Sequence, residues 1–432
     1  MRVVKYIRDP VHGYIPVTEV ELKILDTFPV QRLRGIRQLS IASLVYPGAD
    51  HSRFSHALGS MHIAGQIVGS LRGHAEISGE EEQMVRIAAL LHDIGHGPFS
   101  HSFEEVMVEK KGVNHEDMGR RVVKESELAD VLGSLGFSPQ EICELAFGKT
   151  GGRKRYLKQV IASQVDADKL DFLVRDSYYT GVEYGRVDVS RLVQAMGVVD
   201  ENISIDLKAL YALEAFMIAR YEMFLAVYYH HAVRAAEIML YKAMINCDEF
   251  LNLTDFKTVE DFLRMDDAYL MTRLRELCRS GPDDERVAVV REMMDRLDRR
   301  QLLKAVYQRS IHLRDAYLAS LLSESGLRRK KEEEIAEKAG VPREHVFVDV
   351  PTLDSIPYYP REIDPMEVLV FRFSSNGRKE VVPVSQYSQL LNVLKGYVDI
   401  VRVYTLPEHR EAVEKAAEEV FGSMPFFTQI NV

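Results

Sequence analysis

Between His56 and Leu71, apolar residues fall at Leu58, Met61, Ala64, Val68 and Leu71. Spacings of three and four predict an amphipathic helix with one buried stripe. The same spacing returns at Met84, Ile87, Ala88 and Leu91, behind an acidic Glu80-Glu81-Glu82 first turn that suits a helix dipole. Gly95, Gly97 and Pro98 end that helix. Further helices are predicted over 100–110, 115–125, 139–147, 155–176, 189–196 and 207–250. Ahead of them, residues 3–7 and 14–17 read as short strands around Asp9-Pro10 and Gly13. After about residue 300, β-rich runs appear over 345–350, 368–373, 380–384 and 399–404, with Asn376-Gly377 as a hairpin turn and a last helix over 407–421. The expected architecture is mainly α: a helical body over 1–300 with a short N-terminal β-hairpin, and a smaller C-terminal α+β lobe over 301–432.

Composition narrows what such a fold can do. The 432 residues are 46% apolar and 28% charged, as in a folded globular protein. Lys plus Arg number 55 against 65 Asp plus Glu, a net charge of −10, which argues against coating nucleic acid and places any phosphate chemistry in a cleft. Cys143, Cys247 and Cys278 fit neither a disulfide framework nor a zinc ribbon, which points to a reducing compartment. The most apolar helix candidate, 216–233, is broken by Arg220, Glu222, His230 and His231, so no membrane span is expected and a cytoplasmic location is. Two other segments carry little. Gly148-Lys149-Thr150 echoes a phosphate-binding loop, but Cys143 stands where its leading glycine belongs. Arg328-Arg329-Lys330-Lys331 runs straight into Glu332-Glu333-Glu334 and reads as a solvated helix face.

Histidine placement is the informative anomaly. Eight of the fourteen histidines lie between residues 51 and 115. His92-Asp93 closes an apolar helix face, His56 lies on the buried stripe of the helix before it, and Asp168 falls on an inward stripe with Leu157, Val160, Ile161 and Gln164. An unpartnered buried carboxylate costs several kcal/mol, so an inward Asp implies a cation or a dense hydrogen-bond site. Together His56, His92, Asp93 and Asp168 suit one divalent ion with positions left open.

The order His…His-Asp…Asp resembles the HD superfamily of metal-dependent phosphohydrolases. The wording is closer still to its deoxynucleoside triphosphate triphosphohydrolases. The matching stretches are Asp9-Pro10-Val11-His12-Gly13, Asp26-Thr27, Gln31-Arg32-Leu33-Arg34, Tyr46-Pro47-Gly48-Ala49, Arg53 through Gly59, His92 through His101, His115-Glu116 and Asp166 through Asp171. The resemblance implies an HD-domain helical body, dense over 3–235 and thin beyond it.

It also implies residue roles. His56, His92, Asp93 and Asp168 would ligate one divalent metal, whether iron, manganese, nickel, cobalt or zinc, with magnesium accompanying the nucleotide. His115 matches the family's catalytic histidine, His96 and His101 match active-site histidines, and Glu104 stands where a human member has aspartate. Gln38 and Leu39 match sugar contacts, Arg53 and Lys169 phosphate contacts, Asp176 a contact to the 3′-hydroxyl, and Arg220 and Tyr228 phosphate and sugar contacts. Phe172 replaces a tyrosine that packs on the sugar, which removes a hydroxyl from the pocket. Lys5, Asp26, Gln31 and Arg34 match residues that hold an activating guanine nucleotide at a subunit interface. A second nucleotide site is matched only in part: Val45 and His230 are kept, whereas Arg8 and His231 are replacements. The implied activity is hydrolysis of a dNTP, dGTP among the candidates, to deoxynucleoside and triphosphate, in a homo-oligomer (tetramer or dimer) activated by GTP or a dNTP. Two alternatives stay open: a nucleotidase or phosphodiesterase of the same superfamily, and a non-catalytic nucleotide-sensing assembly.

Overall fold

The computed structural model describes residues 2–148, 154–312, 325–350, 368–373, 379–394 and 397–422. Strands β1 (Val3–Asp9) and β2 (Gly13–Thr18) pair antiparallel around Gly13, whose φ of +76° suits a residue without Cβ. Short helices α1 (Glu19–Leu25) and α2 (Phe28–Arg32) follow, and then the body: α3 (Arg53–Leu71), α4 (Gly79–Leu91), α5 (His101–Lys111), α6 (His115–Glu125), α7 (Glu127–Ser134) and α8 (Pro139–Phe147). Ser78 and Glu81 form a reciprocal capping box at the start of α4. The mainly α expectation, the hairpin and helices α3, α4, α5, α6 and α8 are borne out, whereas α1, α2 and α7 are unforeseen.

Two long helices predicted from periodicity are each broken. The 155–176 pattern becomes α9 (Arg155–Gln159) and α10 (Ala167–Thr180). Asp166 turns its carboxylate onto the amides of Ser163 and Lys169, both at 2.8 Å, and N-caps a new helix rather than extending the old one. Asp168 therefore does not continue the stripe of Leu157 and Val160; it occupies the first turn of α10. The 207–250 pattern becomes α12 (Leu210–Met223), a π turn over Phe224–Tyr228, and α13 (His231–Leu251), whose N-cap His230 accepts the amide of Ala232 at 3.2 Å.

Between these lie α11 (Val189–Ala195) and two strands that periodicity missed, β3 (Met196–Val199) and β4 (Asn202–Asp206). The body ends with α14 (Val259–Leu263), α15 (Asp267–Ser280) and α16 (Glu285–Asp298). The C-terminal residues divide between two sheets. Strands β7 (Leu369–Phe373) and β8 (Lys379–Pro383) extend the β3–β4 hairpin, Ile205 pairing parallel with Val370. Strands β5 (Lys304–His312, also unforeseen), β6 (Val346–Asp349) and β9 (Tyr397–Thr405) form an antiparallel sheet in the order β5-β9-β6. Helices α17 (Ser325–Ala339) and α19 (Arg410–Phe421) accompany that sheet, with the short α18 (Gln389–Leu394) between β8 and β9. Ile335, Val348, Val403 and Val413 share a core with both longer helices, separate from the main core that fills the body.

The charged run on α17 is only partly a solvated face: Lys331 pairs with Glu334 at 2.8 Å, but Glu332 is buried and accepts the amide of Val348. Lys149-Thr150-Gly151-Gly152 and Asn376-Gly377 lie outside the described residues. No helix among the described residues is long and apolar enough to cross a membrane.

Candidate metal centre and active site

Helix α3 carries His56 at 0% exposure, α4 ends on His92-Asp93, and α10 opens with Asp168. These elements converge. His56 Nε2 lies 3.1 Å from an Asp168 oxygen and 3.6 Å from an Asp93 oxygen, while His92 Nε2 is 3.5 Å from both carboxylates. The ligand atoms of His56, His92 and Asp93 fall within 4.8 Å of one another.

The donor set fits a metal ion on its own chemistry. His92 donates from Nδ1 to the carbonyl of Ala89 at 2.7 Å, so Nε2 is the basic nitrogen, and that atom is buried without a hydrogen-bond partner. His56 commits Nδ1 to Asp171 at 2.8 Å, which likewise turns Nε2 to the centre. Burial opposes a charge on His56, yet hydrogen bonds to Asp168 and Asp171 and the field of Asp93 prevail and raise it to about 10. Asp168 and Asp93 are held well below the carboxylate range, against burial, by His56 and His92 for Asp168 and by Arg53 for Asp93. The pocket is built to hold positive charge, which a dication supplies.

Asp171 was matched by sequence but given no role. It is fully buried and receives His12 Nε2 at 2.6 Å and a two-pronged Arg175 at 2.8 Å, whose guanidinium also reaches Asp9 at 2.8 Å. Gly59 makes room for this network, because a Cβ there would collide with Asp171 and Arg175.

A second cluster adjoins the first through His96, whose Nε2 is 3.4 Å from Asp93. His96 stacks on His115 with centroids 4.2 Å apart and planes 11° from parallel. Glu104 accepts both the ring and the backbone N–H of His115, at 2.6 and 2.9 Å, and lies 3.4 Å from His101. The two stacked imidazoles are driven apart: burial and the nearby Arg53 push His96 well below its ordinary value, whereas Glu104 raises His115 against its burial. His96, His101 and Glu104 also bring their ligand atoms within 4.8 Å of one another.

Arg53 spans the two clusters. It is 2% exposed, pairs with Asp93, and gives Nε to the hydroxyl of Ser100 at 2.7 Å. Lys169 reaches Asp166 at 2.7 Å and Asp168 at 3.7 Å. On another wall Tyr228 donates to Asp176 at 2.7 Å, and Phe172 meets the Tyr228 ring edge-on at 6.1 Å. Burial first, then Asp176, drives the Tyr228 phenol well above its usual range, with Asp168 and Arg220 inside its field. Arg220 is buried and bonds the carbonyl of Gln164 at 3.1 Å. Gln38 is half-buried with its Oε1 unpartnered, and Leu39 is half-buried beside it. His51, also unassigned by sequence, is buried, accompanies Asp176 at 2.7 Å and stacks on Tyr179 at 4.5 Å.

Asp26 caps the end of α1, Gln31 lies in α2 and Arg34 in the 3-10 turn that follows α2. Gln31 bonds the carbonyl of Leu25 at 2.7 Å and accepts Arg34 Nε at 2.8 Å, and Arg34 covers the Phe54 ring at 3.6 Å. Lys5 is exposed on β1, as is Arg8, which bonds Tyr14. His230 and His231 stack at 4.4 Å at the start of α13, and Val45 packs near Val233.

The HD domain family matches residues 53–176, the stretch that holds all four candidate ligands, and the HD associated region family matches 187–424. The chain is 34% identical over 345 residues to the uncharacterized protein YwfO of Bacillus subtilis, covering 75% of this chain and 77% of that one. It is also 34% identical over 280 residues to the deoxynucleoside triphosphate triphosphohydrolase SAMHD1 homolog of Dictyostelium discoideum, covering 62% of this chain and about half, 54%, of that protein. A solved phosphohydrolase from Bacteroides thetaiotaomicron superposes with a TM-score of 0.73 at 25% identity, over 93% of this chain and 99% of that one. With its four candidate ligand residues inside one matched region and most of its remaining length inside the other, the chain belongs to the HD-domain family and carries the HD-associated region.

Proposed function

We propose that this protein is a metal-dependent phosphohydrolase that cleaves dNTPs between the 5′-oxygen and the α-phosphorus, releasing a deoxynucleoside and inorganic triphosphate. The observation that carries the reading is the buried, unpartnered Nε2 of His92 facing His56, Asp93 and Asp168, with three further histidines and Glu104 alongside. Relatives bearing the triphosphohydrolase name support the substrate class. His56, His92, Asp93 and Asp168 hold the dication, which neutralises phosphate charge and polarises the scissile centre when bound. Which ion serves is for metal analysis to decide.

The chain's own residues supply the rest. Arg53 and Lys169 stand beside the metal carboxylates as cations for the phosphates, with Arg220 in the same neighbourhood. Asp176 and Tyr228 form one hydrogen-bonded unit for the 3′-hydroxyl and sugar, backed by Phe172, with Gln38 and Leu39 as further sugar contacts. A leaving 5′-alkoxide needs a proton. His101, half-exposed at 47%, donates it, while Glu104 favours the cationic form of His115 beside the reacting phosphate. Residues 1–300 form the catalytic body in this reading and 301–432 the lobe that braces it. A homo-oligomer activated by GTP or a dNTP at Lys5, Asp26, Gln31 and Arg34 belongs to the same proposal, supported by the bonds of Gln31 to Arg34 and to the carbonyl of Leu25, the residue before Asp26.

The test is chromatography of products from a dNTP panel across several divalent ions, with and without GTP. Triphosphate release is specific to this reaction. Orthophosphate or pyrophosphate instead assigns a nucleotidase or another superfamily reaction, and no turnover with any ion removes the proposal. An unchanged mass and rate on adding GTP and dNTPs removes the activation claim alone.

A further inference from the structure

Helix α5 carries His101 and Glu104, and it starts from a strained turn. Phe99 and Ser100, the two residues before it, both adopt left-handed φ values, +54° and +52°, that residues with a Cβ rarely take. Asp267 holds this turn by accepting the amide of Phe99 at 2.7 Å. The outer face of the helix is held from elsewhere. Arg234 on α13 sits 13% exposed at the meeting of three elements. It grips Asp349 of β6 with a two-pronged contact at 3.2 and 2.8 Å, holds Glu237 at 2.7 Å, and reaches Glu105 of α5 at 3.7 Å. One turn further along α5, Glu109 takes Arg329 of α17 at 2.5 Å and the hydroxyl of Tyr241. The C-terminal sheet thus touches the helix that bears two candidate catalytic groups through one nearly buried guanidinium. Arg402, opposite Asp349 across β6–β9, bonds the carbonyl of Tyr229 at 2.5 Å, next to the substrate-wall residue Tyr228.

We infer that Arg234 is a positioning residue: through Asp349 and Glu105 it lets the C-terminal sheet set where α5, and with it His101 and Glu104, stands relative to the metal centre. Arg234 touches no reacting atom. Its effect on turnover rests on the function proposed above; its effect on the helix does not. A strained entry turn, held by Asp267, Arg53 and Arg37, and a clamp on the far face together fix the place of α5, and losing the clamp removes the restraint that comes from the C-terminal sheet.

The test combines hydrogen exchange with steady-state kinetics of the full-length metal-loaded protein bearing Arg234→Gln or Asp349→Asn. Asp349→Asn keeps side-chain volume and carries the test if Arg234→Gln does not fold. Amides of residues 101–111 are expected to exchange on the order of tenfold faster while those of α3 and α10 keep their rates. Triphosphate release is expected to lose on the order of tenfold in kcat with KM within about twofold, because a misplaced group weakens the chemical step and not binding. Arg234→Lys, which keeps the charge but not the fork, falls between. Unchanged exchange at 101–111, or loosening spread equally over α3 and α10, overturns the inference. A wild-type protein that releases no triphosphate while its variants still loosen α5 overturns the function and leaves the positioning role standing.

Discussion

His56 and Asp171 lie 2.8 Å apart, ring nitrogen to carboxylate, with neither side chain exposed. That contact fixes which histidine nitrogen faces the candidate metal centre, and Arg175 and His12 fix the carboxylate in turn. Asp171→Asn keeps the shape but lets an amide N–H compete for His56 Nδ1, and Arg175 loses one of its two partner charges, keeping Asp9. We expect metal affinity to fall about 10- to 100-fold, the usual cost of disturbing a group that orients a ligand. Metal competition titration followed by elemental analysis reads this directly. Full occupancy at unchanged affinity would show that His56 needs no orienting.

Asp168→Ala removes a ligand but no structural cap, since Asp166 is the residue that caps α10. Turnover should be abolished while the circular dichroism spectrum stays that of the wild type. A fully active variant would contradict the metal assignment.

The Glu104–His115 pair sets a pH prediction. Glu104 raises His115 above its ordinary 6.5, and its own carboxyl is held below its usual range, against burial, by His101 and His115. His115 therefore keeps its proton to higher pH than an ordinary imidazole and loses it as pH climbs through the raised value. If the cationic ring serves the reaction, kcat declines on the alkaline side. Glu104→Gln removes the carboxylate that holds the proton and should move that limb to lower pH. A profile that Glu104→Gln leaves in place would remove His115 from the protonated role.

How much of this was legible beforehand depended on whether a residue's partner is near it in sequence. The start of α4 was readable because Glu80-Glu81-Glu82 marks a first turn in any context. The grouping of His56, His92 and Asp93 was readable because they are odd residues for apolar faces, whereas Asp168 reaches the same cluster from the first turn of α10 and not from the stripe of Leu157 and Val160. Asp171 and Arg175 were not, since an Asp and an Arg four apart on a helix look like an ordinary solvated pair, and only the fold reveals that both are buried against Asp9 and His12. The β3–β4 hairpin hid for a local reason: its turn is Asp200-Glu201, both at positive φ, without the Asn-Gly signal that such turns usually carry. The break after α9 hid because apolar periodicity is blind to a carboxylate that chooses the backbone, as Asp166 does.

Glu21 and Arg86 tie the N-terminal hairpin region to α4. Both are buried, Arg86 Nε sits 2.5 Å from the carboxylate, and Gln83 adds a bond at 2.7 Å. Burial alone would raise the Glu21 carboxyl, but the bond and charge of Arg86 hold it below 4.5. Because the folded value is depressed, the pair stabilises the protein above about pH 4.5, and that contribution disappears as pH falls through the folded value. Arg86→Met leaves a buried charge unpaired and should cost about 3–5 kcal/mol near neutral pH. In the variant the acid-side loss should be smaller, because protonating Glu21 then relieves a cost. Denaturant melts of both proteins from pH 3 to 7 decide it, and parallel stability curves would mean the pair is indifferent to pH.

Phe172 bears on sugar selectivity. Its ring meets Tyr228 edge-on at 6.1 Å, and Tyr228 in turn holds Asp176, so the hydrocarbon face of Phe172 borders the group proposed to take the 3′-hydroxyl. An apolar wall rejects an added hydroxyl weakly, whereas a site built around hydrogen bonds rejects mismatched sugars by much larger factors. Phe172→Tyr restores a polar group at that wall and should widen the ratio of kcat/KM for dNTP over rNTP by about tenfold, the value of one new hydrogen bond at ~1.4 kcal/mol. The change should appear mainly as slower turnover of the ribonucleotide, with metal content unaltered. Equal ratios in both proteins would place sugar discrimination elsewhere in the pocket, with His51 and Gln38 the next residues to replace.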